Sequence, residues 1–259
     1  MTGRRSKRSA GPLPIKKLPN VSLARALSKL GVTSRAQARR LILTGRVTVS
    51  GRMLTNPEVR VDPDRERIAV DGNIVTREQR LYIMMHKPAG CVTTRSDERG
   101  RPTVYDLLKD PDRWLFPVGR LDLDSRGLLL FTNDTQWANA LTDPESKIPK
   151  VYEVRLDREM NDRDMARFRS GLVLEDGYQT RPATIKRLPR TDGPWAEVAI
   201  TEGRNRQVRR MMTALGYHVR TLIRTRIGPV SMSGLAEGKI RPLTPDEIRS
   251  LTLKHVRKP

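Results

Sequence analysis

The spacing of apolar residues changes once along the chain, across residues 75–80, and that change limits the possible folds more than any other feature. Before it, Leu23, Ala26, Leu27 and Leu30 recur at helical spacing and stop at Gly31, a residue type that ends helices because it turns left-handed at little steric cost. Thr33 or Ser34 is then placed to cap a second helix with Ala38, Leu41 and Ile42 on its apolar face and Gly45 at its end. Val47 and Val49 alternate with polar neighbours, and Ser50-Gly51 reads as a tight turn into another short strand. After the polar stretch VTREQR, the runs YIMMHKPAGCVTT, VYEVRL, GLVLE, ATIKRL and WAEVAIT are short and apolar or alternating, as strands of an antiparallel or mixed sheet are. Helical spacing returns in TQWANALTD, MARFRSGLV and NRQVRRMMTALG. The expected fold class is α+β, with a small N-terminal helix-hairpin domain over residues 20–75 and a larger, mostly antiparallel-sheet domain over residues 81–251.

Charge narrows the partner. The 259 residues hold 50 Lys+Arg against 29 Asp+Glu, a formal net charge of +21, and an excess on this scale points to a polyanion, nucleic acid above all. It is purest at the ends: residues 1–20 hold six Lys/Arg and no acid. Residues 1–19 therefore read as a basic flexible arm, punctuated by Pro12, Pro14 and Pro19, and residues 252–259 as a basic tail. Both suit phosphate contacts that read no base. No apolar run approaches the roughly 20 residues of a membrane-spanning helix, and no apolar core of about 7–15 residues follows the early arginines as in a signal peptide. Gly11, Pro12 and Pro14 would break the helix of a transit peptide. A single cysteine, Cys91, rules out an internal disulfide framework and fits a reducing cytoplasm. His86, His218 and His255 show no metal-ligand spacing.

In the first domain, Arg35 and Arg39 lie one turn apart on the second helix, with Arg40 and Arg46 nearby. Guanidinium forks match phosphate oxygens, so a nucleic-acid backbone is their natural ligand. The run SRAQARRLILTGRVTVSG resembles the small RNA-binding module first recognised in small-subunit ribosomal protein four, over about residues 20–75, with Ser50 where that family often has Asn.

Three segments of the second domain carry candidate chemistry. In FPVGRLDLDSRGLLLFTND, Gly119 leads to Arg120, Leu121 and Asp122, and Leu128–Phe131 reads as a buried strand. A carboxylate held on a tight turn against such a strand fits a nucleophile, a general base or a metal ligand, and equally a turn residue that caps its own backbone. Asp122, Asp124 and Asp134 together would suggest a magnesium site, although no phosphate-cradling Gly-rich loop accompanies them. In AEVAITEGRNRQVRRMMTALGYHV, a strand Ala196–Thr201 enters a Gly203 turn and a helix from about Asn205, on which Arg206, Arg209 and Arg210 share a face by spacing. Arginines in a first helical turn oppose the helix dipole, so they are expected to serve a ligand or a carboxylate. The third segment, KVYEVRL, puts Lys150 and Tyr152 at the start of a strand.

Taken in order, these segments resemble the ribosomal RNA pseudouridine synthases of the RsuA and RluB type, over about residues 20–250. MMHKPAG and GRPTVYDLL also sit where that family has equivalent stretches, and Thr135 stands where many relatives have Gly. The resemblance implies that Asp122 is the catalytic aspartate, that Arg209 pairs with its carboxylate, and that Tyr152 stacks on the target uracil. It also implies that Arg120 enters the space left by a flipped base, while Arg206 and Arg210 are expected from their spacing to form an RNA-backbone stripe and Lys150 to bind RNA. Uridine would be isomerised to pseudouridine, in large-subunit ribosomal RNA in preference to small-subunit, with no metal or organic cofactor. The expected partner is ribosomal RNA or a ribosomal assembly intermediate, the expected state a cytoplasmic monomer. A non-catalytic ribosome-assembly factor and a magnesium-dependent nuclease are the competing classes.

Overall fold

The computed structural model describes residues 20–76, 79–108 and 114–253. The basic arm, 1–19, and residues 254–259 of the tail lie outside the described residues. The chain divides into two compact units between residues 78 and 79.

The first unit begins with β1 (Val21–Ser22), α1 (Leu23–Lys29) and α2 (Arg35–Leu43). Ser34 caps α2: its hydroxyl accepts from the Gln37 amide while the Gln37 side chain reaches back to the Ser34 amide, which satisfies two of the orphan donors at a helix start. Strands β2 (Val47–Val49), β3 (Arg52–Met53), β4 (Arg60–Val61), β5 (Ile68–Val70) and β6 (Asn73–Ile74) follow. A four-stranded sheet has the order β3-β2-β5-β6, and β1 pairs with β4. Leu23, Ala26 and Leu27 of α1 pack with Ala38 and Ile42 of α2 and with Val47 and Ile68, so the residues that set the helical spacing are the core.

The second unit runs β7 (Tyr82–Lys87), β8 (Phe116–Val118), β9 (Arg126–Thr132), α3 (Thr135–Thr142), β10 (Lys150–Leu156), α4 (Asp162–Ser170), β11 (Thr184–Leu188), β12 (Trp195–Ile200), α5 (Gln207–Ala214), β13 (Val219–Ile227), β14 (Val230–Ser231), β15 (Ile240–Pro242) and α6 (Pro245–Leu253). Residues 252 and 253, assigned by charge to the tail, thus end the last helix. Among the described residues nine strands form one sheet, with the path β11-β12-β10-β13-β9-β7-β15. Every pairing is antiparallel except a short parallel contact between β9 and β13.

Strand β9 anchors the unit. Leu128, Leu129, Leu130 and Phe131 are each fully buried, and full burial of such side chains contributes about 1.5–3 kcal/mol apiece. Their alternation sends Leu129 and Phe131 into one apolar cluster and Leu128 and Leu130 into another. Gly127 opens the strand at φ +110°, and a Cβ there would lie 2.2 Å from the Arg224 carbonyl oxygen. Only glycine therefore lets β9 approach β13 this closely.

Two expected strands are shorter or missing. The YIMMHKPAGCVTT run is strand only as far as Lys87; Pro88 ends it, and Val92 makes an isolated bridge with Thr103. GLVLE is not a strand. Leu172 and Leu174 are buried and Val173 is exposed, as the alternation predicts, but the segment finds only one bridge, Val173 to Gln179. The polarity pattern is real, yet no ladder partner lies beside it.

Candidate active site

Asp122 lies in the loop that joins the antiparallel pair β8 and β9. Leu121, next to it, is buried, while the Asp122 side chain is 30% exposed. The last residue of β7 and the segment after it clamp this loop at four points. The Thr93 hydroxyl donates to the Leu121 carbonyl at 2.7 Å, and the Gly90 amide donates to the Leu123 carbonyl at 2.8 Å. The Lys87 ammonium, fully buried, donates to the carbonyls of Asp122 at 3.0 Å and Ser125 at 2.9 Å, and also to that of Pro88 at 2.9 Å. Burial pushes the Lys87 ammonium below its ordinary range, opposed by Cys91, Asp124, Asp122 and Glu237. A lysine at the end of an apolar strand is thus spent on holding a carboxylate-bearing turn. Sequence reasoning passed over it; the available signal was a charged residue directly following an apolar run and preceding Pro-Ala-Gly.

Asp122 opens onto a cavity of about 530 Å³ whose lining includes Arg120, Lys150, Tyr152 and Arg206. Five of the site residues expected from the second domain therefore share one space. Tyr152 reaches it because Lys150 and Tyr152 alternate onto one face of β10. The opposite wall is held by Glu202, a buried carboxylate. It accepts from the Tyr178 hydroxyl at 2.7 Å, from the Arg181 amide at 3.0 Å and from the Gln207 side chain. Arg204 lies 3.5 Å above the Tyr178 ring. None of these wall residues was singled out in the sequence, because two stretches, Tyr178–Arg181 and Glu202–Gln207, meet only in the folded domain.

The arginines differ from expectation. Arg206 is not helical: it sits before α5 in a left-handed conformation, φ 49°. From there its guanidinium lies 3.5 Å from the Asp122 carboxylate and 3.3 Å from that of Asp124. Arg209 forms its ion pair with Asp124, at 3.1 Å, and also donates to the Asp124 and Val219 carbonyls. The guanidinium within ion-pair distance of the Asp122 carboxylate is thus that of Arg206, because the helix starts two residues later than its spacing suggested, while Arg209 pairs with Asp124 and acts on Asp122 only at longer range. Arg209 and Arg210 are not in the cavity lining. Arg210 bonds Glu175 at 2.6 Å and Asp176 at 2.8 Å, so the three arginines do not act as one face.

Asp134 is separately employed. Its carboxylate accepts from the Gln136 and Trp137 amides at the start of α3 and from the Tyr82 hydroxyl, and pairs with Arg80. Among the described residues no group of three or more His, Cys, Asp or Glu is arranged to hold a metal ion, and no helix is long and apolar enough to cross a membrane.

In the first unit Arg35, Arg39, Arg40 and Arg46 are all exposed. Arg39 pairs with Glu58, and Arg46 makes a two-point contact with Asp71, one bond of it at 2.7 Å. Arg35 and Arg40 have no carboxylate partner among the described residues. Lys29 lies in the same cationic field: burial, Arg25 and Arg35 together lower its pKa.

Comparison with known proteins agrees with this division. A family model described as RNA pseudouridylate synthase matches residues 81–214, and an S4 domain model matches residues 22–66. The chain is 38% identical over 235 residues to an uncharacterized RNA pseudouridine synthase of Aquifex aeolicus strain VF5, covering 89% of this chain and 93% of that protein. It is 37% identical over 232 residues to ribosomal large subunit pseudouridine synthase B of Bacillus subtilis strain 168, covering 88% and 94%. A crystal structure of a pseudouridylate synthase matches with a TM-score of 0.66 at 32% identity, over 89% of this chain and 99% of that one.

Proposed function

The chain belongs to the RNA pseudouridylate synthase family and carries an S4 domain, and from that premise we propose that it isomerises one uridine of large-subunit ribosomal RNA to pseudouridine, with Asp122 as the catalytic carboxylate. The observation that carries this reading is the clamped Asp122 loop facing a cavity it shares with Tyr152. A base inside a helix cannot reach such a cavity, so the nucleotide flips out, at a cost of a few kcal/mol that is smaller where it is unpaired. Tyr152 stacks on the base, and Arg120, exposed at the mouth, fills the space it leaves. Arg206, 3.5 Å from Asp122, pairs with its carboxylate. Arg209 acts through Asp124, bracing the loop. The large-subunit assignment is supported by the likeness to the Bacillus subtilis enzyme. We read the site as needing neither metal nor organic cofactor, and the protein as a cytoplasmic monomer that works on ribosomal RNA or an assembly intermediate.

The test is pseudouridine mapping by carbodiimide modification and primer extension, on ribosomal RNA from cells with and without the gene, complemented by wild type or by Asp122→Asn. One large-subunit site lost without the gene and restored by wild type alone is the expected result. An unchanged map would favour the assembly-factor reading.

The first domain contributes affinity without base readout. Each phosphate contact steepens the salt dependence of binding by about 0.9 in log–log slope on duplex and about 0.7 on single strands. Replacing Arg35 and Arg40 together with alanine is expected to weaken RNA binding and flatten that slope by between one and two. Arg39→Ala, whose guanidinium is shared with Glu58, should change it less. Binding titrations between about 50 and 200 mM salt measure both, and equal slopes for wild type and the double variant would refute the assignment.

A further inference from the structure

The cavity lining holds two cations that no carboxylate among the described residues neutralises. Arg224, on β13, is 5% exposed. Its Nε donates to the Leu128 carbonyl at 2.8 Å, while Nη2 is buried with no partner. Lys150 is half-buried on β10, and burial together with Arg224 lowers its pKa to about 8. Neither residue has a carboxylate partner among the described residues. The two acids of the cavity are engaged elsewhere, Asp122 beside Arg206 and Glu202 within its hydrogen-bonded wall. Ser125, 1% exposed, adds a buried hydroxyl without a partner. All three line the same cavity as Asp122. An uncompensated guanidinium and a neighbouring ammonium in a partly desolvated space are costly, and a ligand with negative charge at that depth would offset the cost.

Depth decides which negative charge. Tyr152 and Arg224 are direct cross-strand partners in the β10–β13 register, so their side chains stand side by side on one face of the sheet. The group that meets Tyr152 also meets Arg224. On the reading that this cavity takes a flipped uridine, on which the present inference rests, that group is the base. We propose that Arg224 and Lys150, with the Ser125 hydroxyl, form a subsite for the uracil carbonyl oxygens, and stabilise the negative charge that the base carries during isomerisation.

The chemistry balances without a further reactant. The N1–C1′ bond breaks with its electron pair left on the base, whose charge spreads to the two carbonyl oxygens. The C5–C1′ bond then forms, the C5 proton leaves, and N1 takes up a proton. Donors aimed at the carbonyl oxygens act most strongly while the base is detached, which makes the contribution one to rate rather than to binding. Removing one such donor typically costs about 10²–10³ in rate.

Lys150→Met and Arg224→Lys test this, on a transcript of the large-subunit ribosomal RNA that carries the mapped site. At saturating enzyme, single-turnover pseudouridine formation is expected to fall at least tenfold in each variant. RNA affinity should stay within about twofold and its salt slope unchanged, because no phosphate contact is lost. Weaker binding with a flatter slope and an unaltered saturated rate would make the pair a phosphate site and overturn the proposal; so would wild-type behaviour in Lys150→Met. Arg224→Lys also loses the bond to Leu128, so melting curves accompany it, and if it is unfolded Lys150→Met decides alone. A wild-type protein that forms no pseudouridine would instead remove the parent reading, and the subsite with it.

Discussion

Replacing Asp122 with asparagine is expected to abolish pseudouridine formation, by a factor above about 10³, while leaving RNA binding intact. The substitution keeps the size of the side chain and its place on the loop, because the loop is held by main-chain contacts: Lys87 and Thr93 bond the carbonyls of Asp122, Ser125 and Leu121 and not the carboxylate. What disappears is the charge and the ability to act as nucleophile or base. Losing an interaction made only along the reaction path lowers the rate without weakening the ground-state complex. RNA binding should even tighten slightly, since a negative charge is removed from a cavity that also holds Arg120, Lys150, Arg204 and Arg206. The loss of its 3.5 Å neighbour frees Arg206 for phosphate. Single-turnover assays and filter binding on one transcript give both quantities. Turnover by Asp122→Asn within tenfold of wild type would end the assignment, and joint loss of turnover and binding would make the residue structural.

The same asymmetry between main chain and side chain explains how much of the site could be read from the sequence. A buried strand and a tight acidic turn are local patterns, so Leu128–Phe131 and the Asp122 turn were legible, as was the strand that carries Tyr152, whereas the roles of Asp122 and Tyr152 came only with the family resemblance. The helices and strands of residues 20–75 were legible for the same reason: Ser34, Gly31 and Gly45 mark helix ends by their own chemistry. Pairing was not legible. Arg206 reaches Asp122 only because it takes a left-handed conformation ahead of α5, a state that few non-glycine residues adopt and that no spacing rule anticipates. Its displacement off the helix also sends Arg209 to Asp124. Glu202 and Gln207 meet Tyr178 from a second segment, and Arg224 meets Tyr152 through a register set by two long strands. A strand pattern says which face a residue occupies, and leaves open which residue will stand opposite.

Lys87 offers the sharpest test of that dependence on distant partners, and Lys87→Met is expected to cost about 3–5 kcal/mol of stability. A charged residue with no exposure is tolerated only when fully hydrogen-bonded, and Lys87 is, through its three carbonyl acceptors. Methionine fills similar space but loses all three bonds; the Asp122 and Pro88 carbonyls keep the Ser125 amide and the Cys91 thiol as donors while the Ser125 carbonyl loses its ammonium partner, and each lost bond to a charged group costs roughly 1.5–3 kcal/mol. Relief of the burial cost of the ammonium, which already lowers its pKa, offsets part of the loss and keeps the total below the simple sum. For a domain of this size about 2–4 °C of melting temperature follows each kcal/mol, so a fall of about 10 °C is expected. Arginine should not rescue it, since a planar fork cannot converge on three acceptors as a single ammonium does. Below the melting transition the variant remains folded, yet its Asp122 turn has lost two of the bonds that hold it. A misplacement of about 1 Å can cost 10²-fold in rate, so single-turnover activity should drop far more than RNA affinity. A melting point within about 2 °C of wild type, with normal turnover, would show that the loop keeps its shape through Thr93 and Gly90 alone.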